Sequence, residues 1–357
     1  MALNPKTRSK HATSTDEPVR LEIELLERGI HHPSEKHHRQ TDARRDSPLM
    51  VCYGPMRAYY PKQEVYDAFQ GKMVPNPEKK LVFRKDKSET GVGLKIPCGK
   101  CAGCRLEQSR QWAMRCMHEK KMHPGAGSAF VTLTYDDKYL PKDYGLHKPD
   151  LQNFMKRLRN NRENGLRFFA CGEYGEKLQR PHYHILLFNT SFPDMKKNLN
   201  QRANQHDIST SAELSQLWPY GQNFIGEVTF DSCAYVARYI SKKLASREII
   251  LADGRKLVRD PEFTCMSMRP GLGTAYYEKY GNEIHTHDSV VVRGYEVSPP
   301  RFYDEKLRKT DPARYEEIKK LRRRRIMKLS KADNTQARLR VREIVSLAKL
   351  ATKGSRS

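Results

Sequence analysis

The sequence predicts an α+β protein built on a mostly antiparallel sheet with flanking helices. Three observations predict it. SAFVTLTY (128–135) reads as a strand. DLQNFMKRLRNN (150–161) sets Leu151, Phe154, Met155 and Leu158 at i, i+3, i+4 and i+7, the apolar stripe of a helix. LRFFACGE (166–173) and HYHILLF (182–188) are two apolar runs joined by a short connection, the pattern of a strand hairpin. A strand, a helix and a hairpin in this order make a sheet with a helix packed on it.

Around that nucleus the other elements follow in order. Residues 1–49 are polar and His-rich, with HHPSEKHHRQ at 31–40, and read as a disordered extension. From 50 to 95, Pro and Gly punctuate short aromatic runs, so this stretch reads as loop-rich. Asp150 is the expected cap of the 150–161 helix, and Gly175 and Pro181 mark the hairpin turn. SAELSQLW (211–218) reads as a helix, FIGEVTF (224–230) as a strand, and about 232–245 as a second helix. Residues 301–357 read as helical with alternating charge. The expected division is an extension at 1–49, one domain over 50–300, and a basic helical segment over 301–357.

Charge narrows the function class. Lys and Arg number 66 against 42 Asp and Glu, a net charge of +24. Such an excess predicts a polyanionic partner, since phosphate contacts by Lys and Arg release condensed counterions. Segment 301–357 holds half of that excess, with 19 Lys and Arg against 7 Asp and Glu, including Arg322 to Arg325, and reads as a nucleic-acid arm. No run of about 18 apolar residues is present to span a membrane, and MALNPKTRSKHATST lacks the apolar core of a signal peptide. A soluble, cytosolic protein with reduced thiols is therefore expected.

The chemistry gathers in three places. In RPHYHILLF (180–188), His182 and His184 project to one face of a strand, their Cα atoms about 7 Å apart, while Tyr183, Ile185 and Leu187 project to the other. Glu173 ends the preceding strand, and antiparallel pairing brings its carboxylate to the histidines. Two imidazoles and one carboxylate can hold a divalent ion with open positions for a substrate oxygen.

In AYVARYISKKL (234–244), on a wheel of about 100° per residue, Tyr235, Tyr239, Lys242 and Lys243 share one face. Cys233, Val236, Ala237, Ile240 and Leu244 make the opposite, core-facing stripe. Beside a metal, a tyrosine hydroxyl can attack a phosphodiester while a lysine stabilises the developing charge. In IPCGKCAGCR, Cys98, Cys101 and Cys104 have the spacing of a zinc knuckle; Pro97 and the glycines argue against a continuous helix there. Cys52, Cys116 and His118 are candidates for a fourth ligand.

With PCGKCAGCRLEQSRQWAMRCMHE, FVTLTY, FFACGEYG, RPHYHILLF, LWPYGQNFIGEVTF, AYVARYISKK and MSMRPGLG, the chain resembles, over residues 50–300, the HUH replication initiators. Within them it resembles the rolling-circle initiation proteins of microviruses, the gokushovirus-like single-stranded DNA phages. The resemblance implies an HUH endonuclease fold of ferredoxin or RRM-like type, acting in the cytoplasm of a bacterial host. It implies Mg²⁺ or Mn²⁺ at His182, His184 and Glu173, nucleophiles at Tyr239 and Tyr235, and a helical lysine at Lys242 or Lys243. FVTLTY corresponds to a core strand.

The implied reaction nicks origin single-stranded DNA, keeps a 5′-phosphotyrosine link and leaves a 3′-hydroxyl for rolling-circle synthesis, with the host replication machinery as a further partner. Relatives begin near the motif that reads MVCYGP here, which implies an extension before Met50. A relaxase or transposase with the same chemistry, and a non-catalytic zinc-containing nucleic-acid-binding protein, are the alternatives.

Overall fold

In a computed structural model of the protein, residues 52–67, 69–76, 80–162, 165–175, 178–197, 208–240, 247–250, 256–327 and 334–354 are described. The extension 1–49, Met50, Lys242, Lys243 and Leu244 lie outside them. By packing, the described residues fall into two units, one of 52–104 with 334–354 and one of 105–327.

In chain order the first elements are β1 (Met56–Ala58), β2 (Glu64–Asp67), β3 (Lys72–Pro75), β4 (Leu94–Ile96) and α1 (Ala102–Lys121). Next come β5 (Ser128–Thr134), α2 (Lys148–Asn160), β6 (Arg167–Tyr174), β7 (Pro181–Phe188), β8 (Lys196–Lys197), β9 (Ser209–Thr210) and α3 (Ala212–Leu217). These lead to β10 (Asn223–Gly226), α4 (Phe230–Arg238), β11 (Arg247–Ile250), β12 (Lys256–Arg259), β13 (Phe263–Met266) and α5 (Thr274–His287). Last are β14 (Val290–Val292), β15 (Tyr295–Val297), α6 (Arg301–Thr310), α7 (Pro312–Met327) and α8 (Gln336–Gly354).

In the unit of 52–104 and 334–354, β1 pairs with β4 and β2 with β3, both antiparallel. The unit of 105–327 holds the main sheet, whose described strands run β13-β6-β7-β5-β10-β9-β8, every neighbour antiparallel. The α+β class with an antiparallel sheet and flanking helices is thus the observed one.

Period-2 alternation sorts this sheet into two faces. On one, Val131, Leu133, Tyr183, Ile185 and Leu187 pack against Leu151, Phe154, Met155 and Leu158 of α2 and against Trp218. On the other, Phe169, Cys171, Leu186 and Phe188 pack against Ala113 and Cys116 of α1 and Cys233, Val236 and Ala237 of α4. Because His182 and His184 share the parity of Leu186 and Phe188, they face α4. That parity is what brings a tyrosine helix and a histidine strand together.

Several boundaries differ from expectation for local reasons. His147 stands at the N-cap of α2, which starts at Lys148; Asp150 lies inside its first turn, where its carboxylate accepts the Tyr135 hydroxyl at 2.7 Å rather than capping the helix. Pro181 opens β7 instead of sitting in the turn, which closes through Gly175 N–H to the Arg180 carbonyl at 2.9 Å. The expected strand 224–230 stops at Gly226, because Thr229 and Ser232 form a reciprocal capping box that starts α4 at Phe230.

A continuous helix was not expected around the cysteines, yet α1 begins at Ala102 and includes Cys104. Gly221, in the LWPYGQN stretch, lets the chain run against β5: an added Cβ would lie 2.5 Å from Asp136 N and Thr134 O. The neighbouring bonds Thr134 N–H to Gln222 O and Asp136 N–H to Tyr220 O, both 2.9 Å, depend on that approach.

The 301–327 stretch is helical as expected but packs within the larger unit. Tyr303 and Leu307 are buried, and Arg322 is bound by Asp288 and Asp304. Arg325 also pairs with Asp288, at 2.9 Å. Two members of the arginine run therefore serve the fold, which corrects the reading of that run as a free arm. Among the described residues no helix is long and apolar enough to cross a membrane.

Candidate active site

Cross-strand register builds the site. Glu173 pairs directly with His182, and Cys171 with His184, on the sheet face that α4 covers. His182 Nε2 lies 2.7 Å and His184 Nε2 2.8 Å from the same atom, Glu173 Oε1. Tyr235 donates its hydroxyl to that oxygen as well, at 2.5 Å. The three residues read from sequence as a ligand set are brought together, their ligand atoms within 4.8 Å of one another.

The other ring nitrogens are held from behind. His182 Nδ1 lies 3.1 Å from the Arg180 carbonyl oxygen, and His184 Nδ1 lies 3.0 Å from Thr132 Oγ1 on β5. Outer partners of this kind fix ring orientation in metal sites. Phe130 stacks on the His184 ring with centroids 5.4 Å apart.

These contacts suit a cation. The Arg180 carbonyl can only accept, so His182 Nδ1 carries a proton, and in the neutral ring Nε2 then presents a lone pair to a carboxylate. Two acceptors facing each other at 2.7 Å need a proton or a metal ion between them. Glu173 Oε2 is buried and has no hydrogen-bond partner among the described residues, which leaves a second acceptor open to positive charge. A set of two imidazoles and a carboxylate fits Mg²⁺ or Mn²⁺, with the nitrogens favouring Mn²⁺.

Electrostatics follow the same contacts. Burial would raise the Glu173 pKa, but the hydrogen bonds and charge of His182 and His184 hold it far below the usual carboxylate range. Burial pulls His182 down, yet Glu173 carries it above the ordinary histidine value; at the more deeply buried His184, desolvation prevails and the value falls. Burial first, and the Glu173 carboxylate second, push the Tyr235 phenol well above its usual range.

The helix wheel holds over the described turns. Cys233, Val236 and Ala237 are buried in the core, and Tyr235 and Tyr239 lie together with ring centroids 5.8 Å apart. Tyr239 Oη stands 3.4 Å from Tyr235 Oη, and Tyr239 is itself buried, as the C-cap of α4 rather than a residue within a longer helix.

One neighbour escaped the sequence reading. The Arg238 guanidinium lies 4.7 Å from the Tyr235 ring centroid, a cation on the tyrosine face. Its i+3 spacing from Tyr235 was the available signal. Thr132 gave no sequence signal, because its role comes from pairing across 52 residues.

The cysteines also gather. Cys98, Cys101 and Cys104 meet Cys52, whereas Cys116 is buried in the core beside Cys233, and His118 Nδ1 lies 2.7 Å from the Tyr303 hydroxyl. Of the three candidates for a fourth member, only Cys52 is there.

Residues 128–244, which contain the histidine hairpin and both tyrosines, match the family model of the Replication-associated protein ORF2 type. The chain is 34% identical over 253 residues to Replication-associated protein VP4 of Bdellovibrio phage phiMH2K, covering 66% of this chain and 75% of the relative. This protein belongs to the replication-associated proteins of microvirus-like single-stranded DNA phages. Two further members of the family are similar to it. Replication-associated protein ORF2 of Spiroplasma virus 4 is 34% identical over 60% of this chain and 68% of its own length. Replication-associated protein ORF4 of Chlamydia phage 1 is 27% identical over 60% of this chain and 54% of its own length. No solved structure matches the chain.

Proposed function

We propose that the protein initiates replication of a single-stranded DNA phage as an HUH-type endonuclease, nicking and rejoining the origin strand through a tyrosine. The observation that carries this reading is the meeting of His182 Nε2, His184 Nε2 and the Tyr235 hydroxyl at Glu173 Oε1. The replication-associated relatives and the net charge of +24 support it.

In the proposed reaction the Tyr235 oxygen bonds to phosphorus and the P–O3′ bond breaks. The 5′ end stays on the tyrosine, and the departing 3′ oxygen takes up a proton to become the primer hydroxyl. The phenolic proton is already hydrogen-bonded to Glu173 Oε1, an acceptor for it as the bond forms. Arg238, over the Tyr235 ring, stabilises negative charge on the phenol oxygen. His182, His184 and Glu173 would hold a divalent ion, Mg²⁺ or Mn²⁺, which supplies Lewis-acid polarisation of a non-bridging phosphate oxygen.

Tyr239, one helical turn on, serves the second strand transfer, so that one tyrosine keeps the old 5′ end while the other attacks the regenerated junction. Lys242 and Lys243 keep their expected role in charge stabilisation. The partners are origin single-stranded DNA and the host replication machinery, in the bacterial cytoplasm.

The test is nicking of origin-bearing single-stranded DNA. Mn²⁺ should support more activity than Mg²⁺, and His184→Ala should abolish nicking while leaving most of the phosphate-driven DNA affinity. Full cleavage by His184→Ala, or by the wild type in excess EDTA, contradicts the proposal.

A further inference from the structure

Away from the histidine hairpin, four sulfurs converge at the start of α1. We propose that Cys52, Cys98, Cys101 and Cys104 form a mononuclear, four-thiolate zinc site that holds residues 52–104 in their fold.

The spacing of the sulfurs is that of ligands around one ion. All four Sγ atoms lie within 4.8 Å of one another, with Cys98 to Cys104 and Cys101 to Cys52 at 4.0 Å each. A tetrahedron with Zn–S bonds of about 2.3 Å has edges of about 3.8 Å. A disulfide would bring a pair to about 2 Å, and no disulfide bond is present among the described residues. A polynuclear iron–sulfur cluster inserts its own atoms between the thiolates and would spread them further than this.

Backbone N–H groups point at the sulfurs as they would at thiolates. Cys98 N–H donates to Cys52 Sγ at 3.2 Å and Tyr53 N–H to Cys101 Sγ at 3.3 Å. Lys100 and Cys101 N–H both donate to Cys98 Sγ at 3.4 Å. That double donation requires the chain to fold back between Cys98 and Lys100, and Gly99 supplies the left-handed turn with φ of 72°. A neutral thiol is a weak acceptor; a charged one rewards this many donors.

The surrounding residues lack another source of order. Besides Cys52, the apolar residues buried among the described part of 52–104 are Ala58, Tyr59, Val82 and Ala102. The sheets there have two strands each, which alone are marginal in water. Small units without a core are commonly held by a metal. Cys52 is the ligand that sequence spacing could not assign, since it lies 46 positions before Cys98 and pairs with it only in the fold.

The full-length protein, purified under reducing conditions, should carry about one zinc per chain. Exchange with Co²⁺ should give intense tetrahedral bands together with thiolate-to-cobalt charge transfer. The His182, His184 and Glu173 set has no sulfur, so the charge-transfer signal reads the cysteine site alone and is independent of nicking. Cys52→Ser should weaken metal retention against a chelator by about tenfold or more, while Cys116→Ser leaves it unchanged. Charge transfer absent from the wild type, iron with acid-labile sulfide in place of zinc, or equal retention in Cys52→Ser and wild type would each overturn the site. Should Cys52→Ser fail to fold, the wild-type Co²⁺ spectrum and iron and sulfide content still decide the matter.

Discussion

Tyr235 Oη and Glu173 Oε1 share a hydrogen bond of 2.5 Å, although 62 residues separate them in sequence. Through it the phenol proposed to attack and the carboxylate proposed to hold the metal are linked before any substrate arrives. The link also explains why α4 is short and strongly capped: the Thr229–Ser232 box fixes where the helix begins, and so which residue reaches the histidines.

Thr132→Val tests the outer contact of His184. The change keeps the shape of the side chain and removes the hydroxyl 3.0 Å from His184 Nδ1. Mn²⁺ affinity, measured by titration calorimetry, should fall by roughly 10–100-fold with the circular-dichroism spectrum unchanged. Wild-type affinity would show that the contact does not orient the ring.

His118 predicts a pH dependence of stability. Burial, aided by Lys121, lowers its pKa from 6.5 to about 4, and its ring stacks on Tyr276 with centroids 3.9 Å apart. The folded state therefore binds a proton less readily than the unfolded state. The stability tied to the neutral ring is present above about pH 6.5 and is lost as the pH falls toward 4. Urea unfolding of wild type and His118→Phe should show the wild type's advantage shrinking over that window by up to about 3 kcal/mol. A constant difference across it would assign the shift elsewhere.

Members of the arginine run should behave differently. Arg322 is held by Asp288 and Asp304, so Arg322→Ala should destabilise the fold by on the order of 2 kcal/mol. Arg323 and Arg324 are exposed. Changing both to Gln should leave stability within about 0.5 kcal/mol. If they contact phosphate, it should also reduce the slope of log K against log salt by about 0.7 per lost contact. Truncation at residue 300 is a poorer test, because it removes the buried Tyr303 and Leu307. An unchanged salt slope in the double variant would remove the exposed arginines from the DNA interface.

Much of the site was legible because short-range periodicities created it. Alternation put His182 and His184 on one face, hairpin pairing brought Glu173 to them, and a 3.6-residue period separated Tyr235 from Cys233, Val236 and Ala237. Long-range pairing was not legible. Nothing local says that β13, at Phe263–Met266, forms the edge beside β6, that β10 lies against β5, or that Cys52 joins Cys98. Asp150 misled for a related reason: its residue type suits a cap, but Tyr135 claims its carboxylate across 15 positions. Arg238 was passed over because the lysines further along drew the charge argument.

The most direct test of the central claim is covalent adduct formation between the protein and labelled origin single strands. It compares wild type with Tyr235→Phe, Tyr239→Phe and the double variant, and the linked residue is mapped by mass spectrometry. The account predicts adduct in at least one single variant, traced to the remaining tyrosine, and none in the double variant. An adduct that survives in the double variant would place the nucleophile elsewhere and contradict the account.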